Sequence, residues 1–202
     1  MIKAITNSKF DVIVFDLNGT LTNRVSDHPE HLAYRNAYIK EKTGKEISIP
    51  LPNETSLSLA ICGLEASQYY HRRNDELDWN LFHSFTPSLL EGLKELLYGG
   101  YRLAIYTDCQ LKQVEQTLEI LRLSEVFDLI ITGEDGLKKP NPEAFLCIAR
   151  MLQCSPEDIL MVGNDVNKDL LPLTFLGGNT IQVNGHQEMD RFFEFIAELN
   201  GQ

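Results

Sequence analysis

The sequence is poor in positive charge. Lysine and arginine number 18 against 29 aspartates and glutamates, a formal net charge of −11, so the surface would repel a nucleic-acid backbone and no nucleic-acid partner is expected. Long apolar runs are missing as well. No stretch approaches the ~20 residues of a membrane-spanning helix, and the opening Met1-Ile2-Lys3-Ala4-Ile5-Thr6-Asn7 lacks a signal peptide's apolar segment. A soluble, cytoplasmic protein is expected, with no membrane partner. The four cysteines, Cys62, Cys109, Cys147 and Cys154, form no C-x-x-C pair, which excludes a zinc knuckle or dithiol motif and agrees with reduced thiols. No G-x-G-x-x-G follows the first apolar run, so a dinucleotide fingerprint is absent. Internal repeats and low-complexity tracts are absent too. What remains is a chain of 202 residues, 43% apolar, enough for one globular domain with a modest insertion.

Short runs of branched and apolar residues recur at Val12–Phe15, Leu103–Tyr106, Leu129–Ile131, Ile159–Val162 and Thr180–Val183. Most are continuous rather than alternating, as strands buried on both faces require. Helical periods separate the later ones. Leu89, Leu90, Leu93, Leu96 and Leu97 form one stripe, with Thr86 as N-cap, Pro87 at the first helical position and Gly99-Gly100 as the stop. Leu111, Val114, Leu118 and Leu121 form a second, Phe145, Ile148, Ala149 and Leu152 a third, and Met189, Phe192, Phe193, Ile196 and Leu199 a fourth. Alternation of strand and helix predicts an α/β fold with a parallel sheet flanked by helices.

Residues 22–84 break this rhythm, being far longer than a crossover needs. They are read as a small α-helical second domain inserted into a core of residues 1–21 and 85–202. Within the insertion, Leu32, Ala33, Ala37 and Tyr38 precede Gly44, Leu57, Ala60, Ile61 and Leu64 follow a Pro50/Pro52 break, and Tyr69-Tyr70 and Trp79-Phe82 come last.

In an open parallel sheet, ligands bind beyond the carboxyl ends of the strands. Four of those ends carry polar residues: Asp16 and Asn18, Thr107 and Asp108, Lys138 and Lys139, then Asn164, Asp165 and Asp169. Carboxylate and carbonyl oxygens suit magnesium beside a substrate phosphate. A hydroxyl and an ammonium can hold phosphoryl oxygens, and a carboxylate such as Asp16 can accept a phosphoryl group as nucleophile.

The segments Val14-Phe15-Asp16-Leu17-Asn18-Gly19-Thr20-Leu21, Ala104-Ile105-Tyr106-Thr107-Asp108, Lys139-Pro140-Asn141-Pro142 and Met161-Val162-Gly163-Asn164-Asp165-Val166-Asn167-Lys168-Asp169 resemble, in order, the four motifs of the haloacid dehalogenase-like hydrolase superfamily. The resemblance spans residues 10 to 185. It implies a Rossmann-like core with residues 22–84 as a helical cap domain, and a magnesium-dependent phosphatase acting on a small phosphorylated metabolite through an aspartyl-phosphate. Asp16 would be nucleophile and metal ligand, the Asn18 carbonyl a second ligand, Thr107 with Asp108 the phosphoryl-binding residues, and Lys139 the neutralising cation. Asn164, Asp165 and Asp169 would complete the metal site, with the direct ligand open between Asn164 and Asp165 and with Asp169 in support. Caps in this family commonly select substrate, so Arg72 and Arg73 in the insertion become substrate-binding candidates.

Two positions depart from the family pattern. Asn18 stands where the family has a general acid/base aspartate, and an amide cannot donate a proton to a leaving alkoxide. That change can cost roughly 100- to 10,000-fold on substrates needing the proton. Acyl phosphates and anhydrides would suffer less. Asn164 replaces an acidic metal ligand. The alternative expectation is therefore a weakly active or inactive phosphate-binding regulatory protein.

Overall fold

A strand covered on both faces needs apolar side chains at every position, and branched residues fit its pleat. In the computed structural model, which describes residues 3–5, 9–47 and 50–201, all five apolar runs are strands. They are β2 (Val12–Phe15), β3 (Arg102–Tyr106), β4 (Leu129–Ile131), β5 (Ile159–Gly163) and β6 (Asn179–Gln182), preceded by β1 (Lys3–Ala4). Met1, Ile2, Thr6 and Asn7, part of the opening segment read above, lie outside the described residues. The sheet order is β1-β6-β5-β2-β3-β4. Pairing is parallel from β6 through β4, with Phe15 opposite both Ile105 and Val162. The sequence predicted only parallel pairing; β1 instead runs antiparallel to β6, Lys3 opposite Ile181, in a strand too short to carry a pattern.

Successive side chains of a strand point to opposite faces, and this divides the core in two. Ile13 and Phe15 of β2 pack with Leu103, Ile105, Leu160 and Val162 beneath helices α4 (Pro87–Tyr98), α5 (Leu111–Leu121) and α8 (Met189–Asn200). Val12 and Val14 pack on the other face with Ala104, Tyr106 and Met161, under α6 (Pro142–Met151) and α7 (Leu171–Thr174). Each fully buried aliphatic or aromatic side chain contributes about 1.5–3 kcal/mol, which is why β2 tolerates no polar residue until its end. The result is an α/β, Rossmann-like sheet flanked by helices. The expected cap on α4 differs in detail: Pro87 opens the helix, but the Thr86 hydroxyl turns to the Ser84 carbonyl at 3.4 Å and does not cap.

Contacts divide the chain into two units, Met1–Asn23 with His83–Gln202, and Arg24–Phe82. The second is helical, with α1 (Pro29–Thr43), α2 (Thr55–Ile61) and α3 (Ala66–Glu76). Tyr38, Ile39, Leu59 and Tyr69 form its core. Tyr69 has the rings of Tyr38, Tyr70, Tyr34 and His31 between 5.1 and 6.1 Å away. Two expected stripes are shifted. In α2, Leu57 and Ile61 are 46% and 55% exposed while Leu59 is buried; in α1, His31 and Arg35 are buried while Ala33 and Ala37 face solvent. Helices this short and polar are oriented by the few aromatic side chains of the core, and Tyr69 decides the buried face. Among the described residues no helix is long and apolar enough to cross a membrane.

Candidate active site

Parallel pairing brings the ends of β2, β3 and β5 to one edge of the sheet. The chain leaves β2 toward β3 and β4 on one side and returns to β5 on the other, so the order reverses at β2, where such sheets bind ligands. Asp16 is the first residue beyond β2, its N–H still donating to the Val162 carbonyl at 2.9 Å. Thr107 is first beyond β3, its N–H donating to Ile131 at 3.0 Å. Gly19 adopts a φ of 96°, a conformation glycine enters without steric cost, so the chain turns at once and Thr22 donates back to the Leu17 carbonyl at 3.0 Å.

The Lys139 ammonium joins these strand ends. It lies 2.7 Å from Asp16 Oδ1 and 2.7 Å from Asp169 Oδ1, with the side chains of Lys139, Asp16 and Asp169 only 3%, 9% and 3% exposed. Lys138 is exposed. Burial holds the Asp16 carboxyl up, to about 6, against the pull of Lys139, with Asp169 adding to the rise. Burial alone would lower the lysine, but the two carboxylates beside it outweigh that and keep it charged. A buried cation between two acids is satisfied only when hydrogen bonds hold it in place, and the surroundings supply them. Asp108 Oδ1 accepts from the Lys139 backbone N–H at 2.8 Å. The Tyr106 ring centroid lies 5.0 Å from Nζ, a cation–π distance, and the Tyr106 hydroxyl donates to the Leu137 carbonyl at 2.7 Å.

Beyond β5 the chain forms a single π-helical turn, Val166–Leu170, a form frequent at functional sites. Asp165 opens it, Oδ1 accepting from Asn167 N–H at 2.9 Å and Lys168 N–H at 3.0 Å. Asp169, one turn on, accepts from Asp165 N–H on Oδ2 at 2.8 Å and from Lys139 on Oδ1. Gly163 makes this possible: a Cβ there would lie 2.4 Å from the Asp169 Cβ. Gly133 does the same between the ends of β3 and β4, where a Cβ would lie 2.4 Å from the Asp108 carbonyl oxygen.

The structure thus brings Asp16, Asn18, Thr107, Asp108, Lys139, Asn164, Asp165 and Asp169 to one edge of the first unit, but not in equal roles. Asp169, expected in support of the metal site, accepts one hydrogen bond on each oxygen and holds Lys139 in place. Asp165, one of two candidates for the direct ligand, spends an oxygen on the helix cap. Asp108, expected to touch substrate, is exposed and orients the Lys139 loop. The oxygens expected to hold a magnesium ion are the Asp16 carboxylate, the Asn18 carbonyl and the side chain of Asn164 or Asp165. This all-oxygen set, with waters completing the shell, fits the ion's hard-donor preference; among the described residues no group of three His, Cys, Asp or Glu side chains is placed to hold a metal.

Arg72 and Arg73 belong to the helical unit and carry other contacts. Arg72 binds Glu41 and Glu76 at 2.8 Å each, on the surface. Arg73 is 5% exposed, its guanidinium 4.9 Å from the Tyr70 ring, 5.0 Å from that of Trp79, and bonded to Asn74. Sequence reasoning overlooked two contributors. Thr20 is fully buried, its hydroxyl 3.4 Å from Asp16 Oδ2; its place in Asn18-Gly19-Thr20 was the available signal. Tyr106 read simply as a core aromatic, and nothing in the sequence tied its ring to Lys139.

Residues 13–171 match the family model described as haloacid dehalogenase-like hydrolase. The chain belongs to this family. Its relatives include the pyrophosphatase PpaX of Bacillus thuringiensis, 30% identical over 169 residues, spanning 78% of this chain and 76% of the relative. Among solved structures, a HAD phosphatase from Thermococcus onnurineus superposes with a TM-score of 0.62 at 19% identity, over 91% of this chain and 97% of that one. The HAD hydrolase YfnB of Bacillus subtilis, solved bound to magnesium, superposes at 0.56 with 17% identity, over 92% and 99%. At these identities the structural likeness shows the fold; the motifs and the PpaX relationship carry the hydrolase membership.

Proposed function

We propose that this family member is a magnesium-dependent phosphohydrolase acting on a small phosphorylated metabolite through Asp16. The observation that carries the reading is the buried Asp16–Lys139–Asp169 cluster at the reversal point of the sheet. The Asp16 carboxylate, made more basic than usual by burial, attacks phosphorus. The bond to the leaving oxygen breaks with its electron pair, and an acyl phosphate forms on Asp16. Water then attacks that phosphorus, releasing phosphate and restoring the carboxylate. Lys139 neutralises charge on the phosphoryl oxygens. The Thr107 oxygen accepts from Cys109 N–H at 3.3 Å, leaving its own proton to donate to the phosphoryl group. Magnesium, held by Asp16, the Asn18 carbonyl and the side chain of Asn164 or Asp165, would draw electron density from the phosphoryl oxygens. The helical unit Arg24–Phe82 serves in this reading as a substrate-selecting cap, and the protein works in the cytoplasm. Arg72 and Arg73 are left out of the proposed substrate contacts because glutamates and aromatic rings already engage them.

Asn18 narrows the substrate class. With an amide in place of an acid, the preferred substrates are those whose leaving group departs without a proton: acyl phosphates and phosphoanhydrides. The name of the PpaX relative denotes hydrolysis of a phosphoanhydride. The same amide supports a second reading, a protein that binds or retains phosphate with little turnover. Magnesium-dependent phosphate release from acetyl phosphate, pyrophosphate and an alkyl phosphate, measured for the native chain and for Asn18→Asp, separates them. The enzyme reading expects native turnover biased to the first two, with alkyl phosphate gaining roughly 100-fold or more in Asn18→Asp. Turnover confined to Asn18→Asp favours the binding protein. Undiminished turnover in Asp16→Asn overturns both.

A further inference from the structure

The helical unit Arg24–Phe82 holds seven lysines and arginines against nine acids, leaving 11 against 20 for the rest of the chain. Its charge is nearly balanced, and three of its cations pair with acids on the surface: Lys40 with Glu46, Lys42 with Glu41, and Arg72 with Glu41 and Glu76. Among the described residues Arg35 has no acidic partner. It is 3% exposed on α1, and every group it bonds is neutral: Nη1 donates to the Pro52 carbonyl at 2.6 Å and to Ser58 Oγ at 3.1 Å, while Nε and Nη2 donate to Asn36 Oδ1 at 3.3 and 3.2 Å. A guanidinium has five N–H groups, so one on Nη2 remains. Burial holds the Arg35 pKa below its ordinary value, opposed only by Tyr69 and Cys62. Arginine is rarely buried this far without an anionic partner, because an uncompensated buried charge is costly.

Arg35 lines a cleft of about 390 Å³, with Asn36 and Asn53 as its other polar side chains and Leu32, Ile47 and Leu51 as apolar wall. The Asn36 Oδ1 faces Arg35, so its amide N–H₂ points away from the guanidinium and has no partner among the described residues. The cleft therefore presents a cation with one N–H left over, the amide donor of Asn36 and a smaller share of apolar surface, in a volume typical of small-ligand sites; the Asn53 amide donates to Asp27 at 3.1 Å.

We propose that this cleft binds a small organic anion: a carboxylate or phosphate head gripped by Arg35 and Asn36, on an apolar body lying against Leu32, Ile47 and Leu51. Charge-assisted hydrogen bonds to a planar guanidinium favour such heads, and the ligand would supply the counter-charge that the fold omits.

The test is a titration of the ¹⁵N-labelled full chain with hexanoate, hexylphosphonate and the neutral hexanamide, following the Arg35 Nε–H and the Asn36 and Asn53 side-chain amides. Saturable shifts at these groups with one or both anions, and none with hexanamide, are expected. Hexanoate alone identifies a carboxylate ligand, and hexylphosphonate alone a phosphate monoester. Asn36→Asp places a carboxylate against the guanidinium at an exposed position that leaves the core untouched, and should weaken anion binding about tenfold or more with the melting temperature maintained. Absence of saturable shifts with either anion, hexanamide binding as well as the anions do, or undiminished affinity in Asn36→Asp each overturns the proposal.

Discussion

Lys139→Met keeps most of the side chain's length and removes its charge. In the native chain the ammonium sits 2.7 Å from each of two carboxylates with 3% of its side chain exposed. Its loss leaves Asp16 and Asp169 facing one another without a cation. Removing one partner of a buried ion pair costs about 3–5 kcal/mol. For a protein of this size that corresponds to a melting temperature lower by roughly 6–20 °C. The cost depends on pH in a definite direction. The folded pKa of Asp16, about 6, lies above its ordinary 3.8, so its contribution is fully present below the ordinary value and is lost as pH rises through 6. Without Lys139 the folded value climbs further. The deficit of the variant should therefore be largest at about pH 8 and shrink toward about pH 5, where Asp16 carries a proton in the variant. Adding Asp16→Asn removes one stranded carboxylate, so the double variant should recover about 1–3 kcal/mol over Lys139→Met alone. Urea unfolding in metal-free buffer at both pH values measures all of this. A single variant within about 1 kcal/mol of native at the higher pH, or a double variant no more stable than the single, would refute the ion cluster as described.

Three other perturbations probe the same fold. His31 is 1% exposed, and burial, with Arg73, Arg35 and His28 nearby, lowers its pKa from 6.5 to about 3; its stabilising contribution is present above the unfolded value and lost as pH falls, at up to about 1.4 kcal/mol per pH unit. Urea titrations should show a shallower loss of stability between about pH 6 and pH 4 in His31→Phe than in the native chain, and equal slopes would contradict the burial argument. Gly163→Ala forces its new methyl against Asp169, with an expected cost of about 1–3 kcal/mol and a fall in phosphate release of roughly a hundredfold as Lys139 moves; wild-type rates would show that Asp169 does not need this approach. Tyr106→Phe keeps the ring beside Lys139 but deletes the bond to Leu137, with an expected loss of about 1–3 kcal/mol in urea unfolding.

The α/β class and the strand positions were legible because a doubly covered parallel sheet demands apolar residues at every strand position, and no other soluble element repeats such short continuous runs. Asp16, Thr107, Lys139 and Asp169 were legible as a set because each stands just past a strand or in the loop beyond it. The buried face of α2 was not legible: Leu57 and Ile61 are stronger apolar signals than Ser58, yet the aromatic core around Tyr69 turned Ser58 and Leu59 inward. Neither was the short antiparallel strand Lys3–Ala4, whose partner lies at residues 180 and 181.

Which chemical groups stand at the strand ends follows from residue order, since strand periodicity and motif order depend on neighbours along the chain. What those groups do to one another follows from the folded arrangement. Asp169 and Asp165 look alike in the fourth motif, but one π-helical turn sends the first onto Lys139 and the second onto backbone N–H groups. Tyr106 and Arg35 likewise took their roles from residues 31 and 17 positions away. Hydrogen bonds and ion pairs are set by distance in space, and spacing along the chain does not record it.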